Sequence, residues 1–156
     1  MEKPETVIVG HGNSILDLKD EDIDKFDFVI RLKDCPAKVG KKTSVISSTS
    51  KHHHNRKDIE YWIFGPNHYG FKQGSYDNWM EYYKFFNPSY YKPSNGTAAA
   101  FLAKEFLGID RITLAGFDMM KTGEPHKLGK ERYQWIHDTE AEKKALDMLF
   151  EEVILI

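Results

Sequence analysis

The chain has 156 residues, 40% of them hydrophobic and 29% charged, the size and make-up of one globular domain with a core of its own. Twenty-two Lys and Arg stand against 24 Asp and Glu, a formal charge of -2, and that balance excludes a broad electrostatic clamp for nucleic acid. No apolar run approaches the roughly 18 residues of a membrane span, the first residues lack the pattern of a signal peptide, and the lone Cys35 cannot form an intrachain disulfide, so a cytoplasmic protein is expected.

Thr6-Val7-Ile8-Val9 is a short β-branched run that ends in Gly10-His11-Gly12-Asn13, which predicts a buried strand and a tight glycine turn. An acidic stretch runs from Asp17 to Asp24. Phe26 to Leu32 is a second strand candidate, with Phe28 and Ile30 on one face and Asp27, Val29 and Arg31 on a more polar one. Residues 33–42, broken by Pro36 and Gly40, form a loop. Ser44 to Ser47 is a weak third strand and Ile59 to Phe64 a stronger fourth, closed by Gly65-Pro66. Between them His52-His53-His54 lacks the partner spacing of a zinc site and suits a solvated loop. Asp77 to Phe86 is predicted helical, and Pro88 and Pro93 make the next stretch a loop. Ala98, Phe101, Leu102 and Phe106 recur at helical spacing between Gly96 and Leu107, with Gly108 as C-cap. Arg111 to Gly116 is a fifth strand, Met119 to Tyr133 is irregular, Thr139 to Phe150 is a helix, and Val153 to Ile156 is a closing strand. Strands alternating with helices over residues 1–156 predict a single α/β domain on a mostly parallel sheet flanked by helices.

Three constellations carry possible chemistry. Gly10-His11-Gly12-Asn13-Ser14 follows the first strand, where a doubly wound sheet binds ligands, and glycines there let a ligand approach the backbone. The dinucleotide fingerprint is incomplete, because Ile15 stands where its third glycine belongs, and a plain tight turn is the simpler reading. Lys92-Pro93-Ser94-Asn95-Gly96-Thr97 opens the Ala-rich helix. Its free N–H groups and positive dipole end suit a phosphate, while Ser94, Asn95 and Thr97 equally suit plain capping. Finally, Thr139 and Glu142 fit a capping box, which makes Glu142 structural. His137, just ahead of that helix, would stay neutral near the positive dipole end, the state a general base needs; an ordinary surface or core histidine is the alternative. Trp79, Tyr82, Tyr83, Phe85, Phe86, Tyr90 and Tyr91 suit a core or a lid, although Tyr90 and Tyr91 run straight into the phosphate candidate and suit an acceptor pocket.

In chain order these pieces resemble the eukaryotic-type sialyltransferases, glycosyltransferase family 29. The family's long motif is similar to Val9-Gly10-His11-Gly12, Ile23-Asp24, Asp27, Val29 and Arg31-Leu32-Lys33, with His11 and Lys33 standing where the family has asparagines that contact the nucleotide. Val39-Gly40-Lys41-Lys42-Thr43 resembles the Val-Gly-x-Lys-Thr that follows it. Pro93-Ser94-Asn95-Gly96 through Leu114-Ala115-Gly116-Phe117 resembles the short motif, and His137 with Glu142 the very short one. His126 is the nearest counterpart of the histidine in the third motif. The cysteines that link the long and short motifs in Golgi members are absent, which suits a minimal soluble member.

The resemblance implies a Rossmann-like or glycosyltransferase-A-like domain. It implies inverting, metal-independent transfer of a sugar from a CMP-activated donor to an acceptor hydroxyl, with no cofactor. His137 would be the general base, and His126 with the N–H groups of Asn95 to Thr97 would stabilise the departing phosphate. Gly10, His11, Gly12, Asn13, Arg31, Lys33, Ser94, Asn95, Gly96 and Thr97 would bind substrate. The acceptor would be a glycan, a lipid-linked sugar or a modified nucleobase. A non-catalytic nucleotide- or nucleotide-sugar-binding module on the same fold is the alternative.

Overall fold

Seven strands form one sheet in the order β5-β4-β3-β2-β1-β6-β7, and every neighbouring pair is parallel. The strands are β1 (Thr6–Val9), β2 (Phe28–Leu32), β3 (Val45–Ser48), β4 (Glu60–Ile63), β5 (Lys72–Gln73), β6 (Arg111–Ala115) and β7 (Glu152–Leu155). The helices are α1 (Asp20–Asp24), α2 (Tyr76–Phe86), α3 (Asn95–Leu107), α4 (Asp118–Thr122) and α5 (Thr139–Leu149), with a 3₁₀ turn over Asn13–Asp17. This computed structural model describes residues 2–33, 37–49, 56–66, 72–88, 92–122 and 138–156. Among them no helix is long and apolar enough to cross a membrane.

Parallel strands need crossovers, and the crossovers cover both faces of the sheet. Val7, Val9 and Val29 pack on one face with Ile15, Ile23 and Phe26. Ile8, Ile30, Val45, Trp62 and Leu114 pack on the other with Tyr83, Phe101, Leu102 and Leu146. The second strand therefore has no wet face: Val29 is fully buried and Arg31 is only 7% exposed. The alternation that suggested a polar side reflects a long guanidinium side chain tucked against the protein, not solvent.

Helix α3 is the middle of the second layer. Every residue from Gly96 to Ala103 is buried. Ala98, Ala99 and Ala100 add so little bulk that its backbone lies close over β1, β2 and β3. Gly108 ends it in the left-handed conformation, φ 61°, where glycine carries no Cβ penalty. Helix α2 is pinned to α3 by Glu105, which accepts from the Ser75 hydroxyl at 2.7 Å and from Trp79 Nε1 at 2.8 Å. Trp79 stacks on Phe101 at 5.0 Å with 10° between the rings. The aromatic group of α2 is thus mostly core, while Phe85 is 84% exposed.

Strand order reverses between β1 and β6: β2 to β5 run outward on one side, β6 and β7 on the other. At such a reversal the flanking loops part in opposite directions and leave a crevice beyond the carboxyl ends of the two central strands.

Candidate functional site

The loops after β1 and β6 meet at that crevice. Gly10 N–H donates to the Ala115 carbonyl at 2.7 Å, and Gly12 N–H to the Gly116 carbonyl at 2.8 Å. Gly116 has φ 72°, a left-handed turn that aims Phe117 and Asp118 back at the glycines. A Cβ on Gly10 would stand 2.9 Å from the Gly116 carbonyl oxygen, and one on Gly12 would stand 2.5 Å from Asp118 Cγ. A Cβ on Gly96, in the first turn of α3, would stand 2.6 Å from Phe117 Cζ. The sequence suggested that these glycines make room for a ligand. Here the space beside each is taken by the chain's own Gly116-Phe117-Asp118. The Phe117 ring touches both Gly10 and Gly96 positions, so it joins the glycine turn to the start of α3.

Asp118 holds the turn from the side. Its carboxylate accepts from the Ser14 hydroxyl and from Ser14 N–H at 3.2 Å. Burial works against the charge, but the Ser14 hydroxyl and the Ser14 and Asn13 N–H groups outweigh it and hold the carboxyl below the usual range. Asp118 is therefore an anion at neutral pH.

The start of α3 is fastened to α5. The fully buried Glu142, 1% exposed, accepts from Ser94 N–H at 2.6 Å. Ser94 is the N-cap of α3, its hydroxyl accepting from Thr97 N–H at 3.4 Å. These two bonds leave Asn95 N–H and Gly96 N–H with no acceptor among the described residues. The N-cap of α5 is Asp138, whose carboxylate accepts from Ala141 N–H at 3.0 Å. The expected Thr139–Glu142 capping box is thus replaced: Thr139 is already helical, and Glu142 turns inward to a different helix.

Residues of α1, β2 and the loop that follows β2 also meet in space. Asp24 accepts from Lys41 N–H and Lys42 N–H at 2.9 Å each, and Asp20 accepts from Gly40 N–H at 2.8 Å. Arg31 Nε donates to the Lys42 carbonyl at 3.1 Å and the Thr43 hydroxyl at 2.9 Å. The Lys42 N–H is the main reason that Asp24 titrates below the ordinary range. Part of Arg31 and the half-buried His11 line a small cleft, about 20 Å³, beside the Gly10 turn. Asn13 is exposed at the mouth of the turn. Lys33 follows β2 with φ 58°, its N–H on the Ser47 carbonyl at 2.9 Å.

Gly10, His11, Gly12, Asn13, Ser94, Asn95, Gly96 and Thr97 thus gather around the β1–β6 reversal, and Arg31 and Lys33 end the neighbouring strand. His137, His126, Cys35, His52 to His54, Tyr90 and Tyr91 lie outside the described residues. Asp118 was not singled out from sequence. The signal for it was present: it follows a strand end at Gly116-Phe117, where an α/β sheet places its site residues.

No protein-family model matches the chain, and no curated protein matches it in sequence. Among solved structures it is similar to a mammalian sialyltransferase crystallised with Gal-beta-1-3GalNAc-ortho-nitrophenol. The TM-score is 0.63 at 15% identity, over 97% of this chain and 68% of that one. The chain therefore has the fold of that sialyltransferase, a Rossmann-like α/β sheet.

Proposed function

We propose that the protein is an inverting glycosyltransferase that moves a sugar from a CMP-activated donor to an acceptor hydroxyl in the crevice beyond the carboxyl ends of β1 and β6. The observation that carries this reading is one juxtaposition. The glycine turn, the start of α3 and the start of α5 are fastened together by Phe117, Asp118 and Glu142, in the fold of a sialyltransferase.

The donor phosphate is assigned to the first turn of α3. Asn95 N–H and Gly96 N–H have no acceptor among the described residues, and the helix dipole adds positive potential. As the sugar leaves, charge grows on that phosphate, and donors fixed before the reaction stabilise it without reorganising. His11, Asn13 and Lys33 are assigned to the nucleotide, and Arg31 to the floor beneath it. His137 is assigned as the base that takes the proton from the acceptor hydroxyl, and His126 as a second donor to the phosphate. Support for His137 comes from its covalent neighbour. Asp138 caps the helix whose Glu142 is bonded to Ser94, so the chain enters α5 beside the phosphate turn. A base of this kind contributes roughly 10²–10⁴-fold in rate.

Titration calorimetry with CMP and a CMP-sugar, followed by a transfer and hydrolysis assay, tests the reading. His137→Ala is expected to abolish transfer while the donor still binds. Transfer near the wild-type rate in that variant refutes the base assignment, and no binding of CMP refutes the donor. A chain that binds CMP but turns over no donor is the non-catalytic module that His11 and Lys33, at family asparagine positions, would suit.

A further inference from the structure

We propose that β7 is a docking edge for a second copy of this chain: two β7 strands pair antiparallel about a two-fold axis at Ile154 and join the two sheets into one. The inference is independent of the donor reading above.

The two ends of the sheet differ. At one end β5 is only Lys72–Gln73, and the Lys72 ammonium lies over the Phe106 ring at 4.5 Å; a very short strand that carries a lysine is a closed edge. At the other end β7 runs Glu152–Leu155 into Ile156 and holds neither Pro nor Lys. Its backbone bonds fix which groups remain. Glu152 N–H donates to the Asp110 carbonyl at 3.3 Å and Ile156 N–H to the Leu114 carbonyl at 3.0 Å, while the Ile156 carbonyl accepts from Gly116 N–H at 3.2 Å. Glu152, Ile154 and Ile156 therefore turn their backbone groups toward β6. Because these groups alternate along a strand, the N–H and C=O of Val153 and Leu155 point away from the sheet, where the described residues place no further strand.

The side chains indicate the occupant. Val153 and Leu155 pack on the α3 side of the sheet and Ile156 on the opposite side, and residues 153–156 are all partly exposed. A lone peptide strand would match the backbone but bring nothing to cover these two apolar rows. A strand that arrives with a layer on each face continues both rows at once, and a second copy of this α/β sheet is such a partner. Pairing about Ile154 sets Val153 opposite the partner's Leu155, with which it exchanges N–H···O=C bonds, and sets the β-branched Ile154 against its own copy. Glu152 falls opposite the partner's Ile156 and is already paired with Arg111, so the strand pair sets no like charges face to face. Strand direction reverses across the axis, so the two crevices open at opposite ends of the joined sheet.

Sedimentation velocity on the wild-type chain from about 5 μM to about 1 mM tests the pairing, since an interface of this size is weak. A reversible dimer with a dissociation constant on the order of 10–100 μM is expected. Val153→Pro deletes an outward N–H and spares the bonds to β6, as proline is tolerated at a free edge. It is expected to weaken the dimer about tenfold or more, while Val153→Thr, which keeps that N–H, stays within about threefold. Amide hydrogen exchange is a second readout that needs no variant. Val153 and Leu155 N–H are expected to slow about threefold or more from the dilute to the concentrated end, while Ile156 N–H stays slow throughout. A monomer at every concentration, a dimer left unchanged by Val153→Pro, or exchange at Val153 and Leu155 that ignores concentration overturns the proposal. If Val153→Pro does not fold, the exchange series decides.

Discussion

Glu142 separates the sequence reading from the structure most sharply. A capping-box glutamate lies near the surface, and its loss costs about 0.5–2 kcal/mol through one helix end. In the structure the carboxylate is 1% exposed and accepts from Ser94 N–H at 2.6 Å, tying α5 to α3. Glu142→Ala removes a bond to a carboxyl group worth about 1.5–3 kcal/mol and leaves the part-buried Ser94 N–H without that partner, a further cost of about 1–3 kcal/mol that overlaps the first. Relief of a desolvated carboxylate offsets part of this. The net loss is about 2–4 kcal/mol, a fall of roughly 5–15 °C in Tm for a chain of this length. Glu142→Gln keeps an acceptor in place and is expected to cost about 1 kcal/mol. Urea and thermal unfolding of both variants, with Asp138→Ala and Thr139→Ala as controls, measure the set. Asp138→Ala should cost about 1 kcal/mol as a true N-cap, and Thr139→Ala less than about 0.5 kcal/mol. The reasoning fails if Thr139→Ala costs as much as Glu142→Ala, or if Glu142→Ala costs under about 1 kcal/mol.

Lys33 holds φ 58°, a conformation that costs an L side chain about 1–2 kcal/mol and asparagine less. Lys33→Asn is expected to stabilise by about 0.5–1 kcal/mol in urea unfolding, and a loss of stability would show that the lysine side chain contributes more than its backbone costs. Gly96→Ala places a Cβ 2.6 Å from Phe117 Cζ, and overpacking of this kind costs about 1–3 kcal/mol; a neutral result would mean that Phe117 does not rest on α3. Asp110 is lowered to about 2 by hydrogen bonds from Lys104 and Lys3. Its folded value lies below its unfolded one, so its contribution is complete above about 3.8 and is lost as pH falls toward about 2. Carbon-detected NMR titration should find it near that value, and Lys104→Ala should raise it; a wild-type value near 4 refutes the ion pair.

What could be read in the sequence followed from local physics. β1, β2, β4 and β6 are short apolar or β-branched runs between turn residues, and α3 has helical apolar spacing with a glycine stop, so each is visible within its own window. β5 has two residues, Lys72 and Gln73, and exists only because β4 offers an edge, so no local pattern marks it. Arg31 misled because a charged residue in a strand looks wet until the covering layer is known. Thr139 and Glu142 misled because the capping-box spacing was satisfied one residue downstream of the true cap. The bond that Glu142 makes spans 48 residues, beyond the reach of any local pattern.

The glycines carry the same lesson into the site. Gly10, Gly12 and Gly96 announce that something approaches the backbone closely, yet a glycine does not say what approaches. Each one faces the tripeptide Gly116-Phe117-Asp118. Motifs that look like separate ligand contacts along the chain are therefore halves of one packing unit centred on the end of β6. That unit holds the turn after β1 against the start of α3: a phenyl ring and a carboxylate occupy the join. It also sets where ligand chemistry must be sought. The donors already used by Asp118 and Glu142 hold the fold together, and the N–H groups of Asn95 and Gly96, which have no acceptor among the described residues, are the ones the proposed reading assigns to a substrate.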